Sequence, residues 1–291
     1  MTSIIKVQNI QYTDGDAALT IADGGGVTAA STLTSTGAFT SPGIDDNANA
    51  LAMTIDSSEN IGIGTTPKSW HGNWTAIDLG DQGHFGHYDG GDTQIGTNMY
   101  HDGSWKAKEN GTSSNYALGA NGYHTWFGNP SANADASINL TTNMQLTIDG
   151  ELLKPKHPCF RAAGLGGAWS TGINDVVQFA NDGNGFNFDQ GNNYNTSSNG
   201  FFAPVAGKYQ FYTQALVQNG TNQKRIKLRH NGTDFAVGNV YGYNSSSEVT
   251  VWVAGIVNMA ANDKIDVHLN TQGGNYYNHH PYTFFQGFLI G

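Results

Sequence analysis

Cysteine is almost missing. Cys159 is the only one in 291 residues, which excludes an intrachain disulfide and any zinc site built on several thiolates. Charge is scarce as well. Asp, Glu, Lys and Arg make up 12% of the chain, about half the share usual in a soluble domain, so neither a charged coiled-coil rod nor a surface that coats nucleic acid can be built from it. No run approaches the roughly 20 consecutive apolar residues of a membrane helix. The stretch Met1 to Tyr12 has neither a basic start nor an apolar signal core, so neither membrane insertion nor Sec-type export is expected. What the chain has in quantity is turn chemistry: 39 Gly and 31 Asn, residues that favour turns over helix interiors. Long helices are excluded, and the expected fold is all-β.

Charge divides the chain in two. Residues 1–150 carry 4 basic against 15 acidic residues, a balance of −11, and residues 151–291 carry 9 against 8, a balance of +1. Between the halves, Pro155 and Pro158 bias their neighbours toward extended geometry, so 151–158 reads as a stiff linker. A weak repeat runs through the first half: LTIADGG near Leu19, LAMTIDSSEN near Leu51 and LTIDGEL near Leu146. Each alternates apolar and polar residues and then meets Asp followed by Gly or Ser, the pattern of a strand closing in a tight turn. Met53 to Ile63 reads as a hairpin whose Ile55, Ile61 and Ile63 share one face. A lone hairpin is not stable in water, so burial between identical chains is expected, with Ala29 to Gly43 as part of a thin stalk. The alternative for residues 1–50 is a disordered arm.

Residues 61–150 hold short strand patterns (76–79, 93–100, 105–107, 123–127, 137–140) and fit a small, loop-rich β domain. Residues 159–291 show about ten strands in some 130 residues, the density of a sandwich or jelly roll. In Gly207 to Val217, Tyr209, Phe211, Thr213, Ala215 and Val217 face one way and Lys208, Gln210, Tyr212, Gln214 and Leu216 the other. Both faces carry apolar groups, so a second subunit is expected to cover the outer one.

Three clusters offer chemistry. His71 to His101 gathers His71, His84, His87, His101 and several Asp, open to a metal or glycosidase reading. No ligand spacing or carboxylate motif supports either, and structural roles are expected, with no metal and no cofactor. Arg225, Lys227 and Arg229 share one strand face, a stripe suited to acidic sugars or phosphates or simply to a solvated or charge-paired face. The overall balance of −10 argues against a nucleic-acid partner. Gln272 to Tyr282 reads as a loop ahead of the last strand, where Asn275, Tyr276, Tyr277, Asn278, His279 and His280 combine flat rings with adaptable hydrogen bonds, the chemistry of carbohydrate contacts. The loop from Tyr241 to Glu248, with Tyr243 and Asn244, is a second candidate. No G-x-S-x-G, phosphate loop or H-E-x-x-H occurs, and no enzymatic activity is expected.

Two resemblances add to this reading. Gly200-Phe201-Phe202-Ala203-Pro204-Val205-Ala206-Gly207 followed by Tyr209 and Phe211, then Leu228 with Asn231-Gly232, then Phe285-Gln286-Gly287-Phe288-Leu289, resembles the globular head of the complement collagen-like recognition protein, related in fold to tumour necrosis factor. The resemblance implies a ten-stranded jelly roll over 159–291 that forms homotrimers, with Phe202, Tyr209, Phe211, Phe285 and Phe288 in the core or trimer interface. Collagen repeats are missing, so the immune role is not carried over. The first half resembles fibre proteins of tailed bacteriophages, especially marine ones, on Ile4 to Gln11, Gly62-Ile63-Gly64-Thr65-Thr66-Pro67-Lys68-Ser69-Trp70, Ala76 to Gly80, Asn98-Met99-Tyr100, Gly103 to Lys106 and His124-Thr125-Trp126. It implies an attachment and stalk region at 1–60, a fibre middle domain at 61–150 and a receptor-binding head. The expected partners are the chain itself, virion tail or capsid proteins through the N-terminal region, and a carbohydrate or protein receptor on the host surface. The protein would be made in the host cytoplasm and displayed on the virion. A structural capsid, collar or tail fibre, or a spike that degrades polysaccharide, are the other readings open.

Overall fold

A computed structural model describes residues 52–170, 173–180, 186–218, 222–241 and 248–291, except the side chains of 165 and 167–169. Ahead of residue 52 it describes only the backbone of five short strands: β1 (Asn9–Gln11), β2 (Ala17–Ile21), β3 (Val27–Ala29), β4 (Thr40–Ser41) and β5 (Ile44–Asp45). The first three form an antiparallel sheet and the last two a pair. The other expectations for residues 1–51 fall outside the described residues. Among the described residues there is no helix.

The middle of the chain is a nine-stranded sheet in the order β16-β15-β14-β13-β10-β9-β8-β7-β6. Its strands are β6 (Met53–Ile55), β7 (Ile61–Ile63), β8 (Trp74–Leu79), β9 (Gly83–Tyr88), β10 (Thr93–Thr97), β13 (Gly111–Leu118), β14 (His124–Ala132), β15 (Thr141–Leu146) and β16 (Leu152–Leu153). All neighbours run antiparallel except β7 and β8. A small pair, β11 (Tyr100–His101) with β12 (Trp105–Lys106), lies outside the sheet. The pattern at 93–100 reads as one strand but is broken at Asn98, which adopts φ 57°. Its amide donates to the carbonyls of Glu109 (3.1 Å) and Thr112 (3.0 Å) and accepts from Glu109 N (2.7 Å), so the side chain stands in for a strand partner at the bend. Residues 137–140 form an isolated bridge rather than a strand, while β9, β13 and β15 arise where Gly, Asn and Thr mask the alternation.

The two faces of this sheet differ. In-register partners align Ile55, Ile61, Ile77, Phe85, Ile95, Tyr116, Trp126 and Met144 in one row across eight strands. This face is open: Ile55 is 64%, Phe85 43% and Ile95 56% exposed. The opposite face carries Trp74, Ala76, Asp78, His84, Gln94, Asn115 and Thr125, all buried.

The head is a two-sheet jelly roll. One sheet runs β19-β17-β27-β22-β25, the other β20-β21-β26-β23-β24 with β18 also paired to β26. The strands are β17 (Cys159–Ser170), β18 (Asn174–Val176), β19 (Phe188–Gln190), β20 (Tyr194–Asn195), β21 (Gly200–Phe202), β22 (Gly207–Gln218), β23 (Gln223–His230), β24 (Thr233–Tyr241), β25 (Glu248–Met259), β26 (Lys264–Asn270) and β27 (Asn275–Leu289). That makes eleven among the described residues, against ten expected. The extra one, β20, is a two-residue pair too short to show a period. Between the sheets lies a closed aromatic core: Phe160 stacks on Phe201 at 4.8 Å and meets Phe285 edge-on at 4.9 Å, with Tyr209 and Phe211 beside them, all buried. Each such side chain contributes about 1.5–3 kcal/mol by leaving water.

The segment read as a linker is tied at both ends. Leu152–Leu153 pairs with β15, and Gln190 Nε2 donates to the carbonyls of Lys154 (3.0 Å) and His157 (2.7 Å), while Leu289 N donates to Pro158 O (3.0 Å).

Candidate functional site

Gln272 to Tyr282 is not the loop its sequence suggests. The turn falls earlier, on Gln272 and Gly273 at φ 48° and 84°, and from Asn275 the alternation of rings and polar residues continues as β27, paired with β17 and β22. Alternation splits the cluster. Tyr276 and Asn278 turn into the sandwich and are buried. A Cβ at Gly164 would lie 2.4 Å from Asn278 Oδ1, so only glycine admits that amide. Tyr277 and His279 fall on the outer face, where Tyr282 packs edge-on against Tyr277 at 5.4 Å and His280 stacks on His279 at 4.5 Å and on Phe186 at 4.8 Å. Three of the six candidate side chains, Tyr277, His279 and His280, therefore form one half-buried patch on the outer face. Tyr243 and Asn244 lie outside the described residues.

Arg225, Lys227 and Arg229 do share the outer face of β23, but the stripe is largely neutralised. Lys227 Nζ lies 2.5 Å from Asp234 and Arg229 Nε 2.7 Å from Asp266, which Lys264 also approaches at 3.1 Å. Arg225 Nε donates to Gln223 Oε1 at 2.7 Å. Asp234 sits on the neighbouring strand and Asp266 on the other, so cross-strand pairing consumes the charge that a sequence window displays as free.

Of the five aromatic residues assigned to core or interface, Tyr209, Phe211 and Phe285 are fully buried in the protomer, Phe202 is half-buried, and Phe288 stands 45% exposed on the outer face of the five-stranded sheet. That outer face is rich in rings. Tyr212 stacks on Trp252 (6.2 Å) and packs on Phe284 (5.6 Å), and the Arg161 guanidinium lies 4.5 Å above Phe284. Trp252, Ile256, Phe188 and Phe288 are all exposed there.

In the middle domain, His71 and His101 meet edge-on at 5.9 Å, but among the described residues no three of His, Cys, Asp or Glu are placed to hold a metal ion. Asp78 instead anchors a buried network that its sequence neighbours do not reveal. Lys108 Nζ donates to Asp78 Oδ1 at 2.6 Å and to Gly83 O at 2.8 Å; Trp70 Nε1 (3.2 Å) and Lys68 N (2.8 Å) donate to the same carboxylate. Both Lys108 and Asp78 are buried. Desolvation holds the Lys108 ammonium below its usual pKa, opposed by the Asp78 charge. His84 lies beside Trp70 at 5.2 Å with neither ring nitrogen hydrogen-bonded among the described residues. Burial, and next the Lys108 charge, hold it down to about 3, so it is neutral. Lys108 lies 30 residues beyond Asp78, and no spacing signals the pair.

The family model described as C1q domain matches residues 168–290. Among solved structures, the globular domain of the zebrafish complement 1qA protein is 16% identical, covering 46% of this chain and 98% of its own, with a TM-score of 0.36. The crystal structure of murine APRIL at pH 5.0 is 13% identical, covering 46% and 100%, with a TM-score of 0.38. No curated protein matches the chain. Domains of this type typically self-associate as trimers and often bind ligands. Residues 168–290 match the C1q domain model, and with two packed sheets over an aromatic core this part of the chain is a C1q-like jelly roll.

Proposed function

We propose that the chain is a subunit of a homotrimeric fibre that attaches a tailed-phage particle to its host, with the N-terminal strands joined to virion tail or capsid proteins and the head bound to a surface glycan or protein. The observation that carries self-association is the row from Ile55 to Met144. Single-chain soluble proteins rarely leave contiguous apolar patches of more than a few hundred Å² in water, and here a row of apolar side chains from eight strands lies on the open face of the sheet. Three copies turning these faces toward a common axis remove them from water, and the ring-rich outer face of the head sheet is a second surface of the same kind. The phage assignment is supported by the fibre-like motifs at 62–70, 76–80, 98–106 and 124–126.

Trimeric presentation multiplies weak contacts. Three sites per fibre and several fibres per particle raise a modest affinity by orders of magnitude when geometry permits simultaneous engagement. The chain acts by binding and not by catalysis. Two experiments test this. Native mass spectrometry of the full chain is expected to give a trimer, and a monomer at micromolar concentration removes the proposal. Excess purified protein is expected to slow phage adsorption to host cells; unchanged adsorption leaves a structural collar or capsid fibre in its place.

A further inference from the structure

The covered face of the nine-stranded sheet holds a cleft that none of the preceding function uses. β8 and β9 set Trp74 directly opposite Tyr88, with ring centroids 5.4 Å apart. The β11–β12 pair sets His101 opposite Trp105 and brings both rings to Trp74, at 5.9 and 5.2 Å, Trp105 nearly perpendicular to it at 72°. Trp74 is the floor, and Tyr88 and Trp105 are walls. Glycine makes this shape possible at two points. A Cβ at Gly86 would come within 3.3 Å of the Trp74 ring, and one at Gly91 within 2.6 Å of Tyr88 Cδ1. The resulting cleft has a volume of about 410 Å³, within the roughly 300–1,000 Å³ range of small-molecule sites.

Its polar rim is partly unspent. The Trp74 indole N–H, on a side chain only 6% exposed, has no acceptor among the described residues. Gln94 accepts from Asn115 Nδ2 at 2.6 Å through its oxygen, and its NH₂ donates to no described group. The Asp92 carboxylate receives only a long contact, 3.4 Å, from Ala120 N. His101 Nδ1 accepts from Gly103 N at 3.4 Å, which places the proton on Nε2. Burial first, then the neighbouring His71, lower the pKa of His101, so the ring is neutral at neutral pH.

We propose that this cleft binds a neutral hexopyranose unit of a glycan, its C–H face on the indole of Trp74 or Trp105 and its hydroxyls on Asp92, Gln94 and His101. Flat rings set at steep angles, with donors and one carboxylate acceptor at their edge, match a saccharide, which is apolar on its faces and hydroxylated around its rim. Charge selects against acidic sugars. Asp92 stands in the cleft, and the chain up to residue 150 has a balance of −11, so a uronate or sialate meets repulsion. The cleft faces away from the apolar row, so a trimer that buries the row carries three such sites outward. The site is separate from the head and does not require that the head bind a receptor.

The test is a glycan array of neutral, uronate-containing and sialylated oligosaccharides probed with the full chain, followed by titration of intrinsic tryptophan fluorescence with the neutral oligosaccharide that gives the strongest signal. Saturable change in emission is expected, with acidic counterparts bound at least tenfold more weakly. Tyr88→Ala is expected to weaken binding at least tenfold, and Asp92→Ala comparably. Gly91→Ala, which pushes a methyl group into the Tyr88 ring at a position without positive φ, serves as a second variant should Tyr88→Ala lower the thermal transition. Head variants at Tyr277 and His279 are expected to leave this binding unchanged. The proposal is overturned if no neutral saccharide alters the emission, if acidic sugars bind as well as neutral ones, or if folded Tyr88→Ala or Gly91→Ala protein binds like the parent.

Discussion

The middle sheet and the head solve the same problem with opposite materials. The head closes two sheets over a core of Phe160, Phe201, Phe211 and Phe285. The middle region has no second sheet of comparable size over its main sheet, only the β11–β12 pair, and its covered face is held by polar anchors: Asp78 with Lys108, Asn60 with Asp56 and Ala76 N, Asn98 with Glu109 and Thr112, Gln94 with Asn115. The covered face also buries Trp74 and Ala76 against Trp70 and Tyr100, whereas the row from Ile55 to Met144 lies on the other face, with Ile55, Phe85 and Ile95 open to water. A sandwich is finished within one chain, because its two inner faces bury each other. A single sheet with an apolar open face is half of an interface, and its polar anchors fix the strand order until the other half arrives.

Charging the open face attacks this contrast most strongly. Ile95→Asp places a carboxylate among apolar side chains that association is to bury; loss of the trimer is expected by light scattering, while the head keeps its near-ultraviolet circular dichroism. The same charge at exposed Tyr241 is expected to leave the oligomer intact. Next in size is Lys108→Met, which strands Asp78 as an uncompensated buried charge. A loss of about 3–5 kcal/mol is expected, read calorimetrically as a lowered transition of the middle region with the head transition unmoved. Asp78→Leu combined with Lys108→Met is expected to recover most of it. A comparable loss of about 3–5 kcal/mol confined to the head is expected of Phe211→Ala, which empties the aromatic core.

Acid sharpens the comparison further. His84 is held neutral with a pKa of about 3 in the folded chain, below the value near 6.5 of an unfolded His. As pH falls below about 6.5 the unfolded chain takes up the proton first, so stability is complete above that pH and declines toward pH 3, by up to about 1.4 kcal/mol per pH unit. The middle region is therefore expected to melt before the head during acid titration, and His84→Leu to flatten that slope. Smallest of all is Lys227→Ala, which removes a half-exposed pair with Asp234. A change of at most about 1 kcal/mol is expected, with head thermal stability nearly unchanged.

Much of the fold was legible where alternation met clean turn signals. Gly207 to Val217 forms β22 with Tyr209, Phe211, Thr213, Ala215 and Val217 on the buried face that its alternation predicts, and Ile55, Ile61 and Ile63 share the face their spacing assigns. Strands β9 and β13 were not legible, because Gly83, Gly86, Gly111 and Asn115 resemble loop composition until neighbouring strands supply their hydrogen bonds. The candidate sites fared unevenly for a related reason. Tyr276 and Tyr277 are adjacent and chemically identical in sequence, but strand alternation buries one and leaves the other half-buried on the outer face once β27 begins at Asn275. Arg229 looks free until β26 brings Asp266 to it.

Composition alone determined that this chain is built of strands and turns, that it has no intrachain disulfide, and that its halves differ in charge, because those properties depend on residue types and local periodicity. Only the tertiary structure decided that Asp78 meets Lys108, that Trp74, Tyr88, His101 and Trp105 enclose a cleft, and that eight apolar residues from eight strands form one open row. Those placements depend on strand register, and register is set by pairing between segments that lie far apart in the chain.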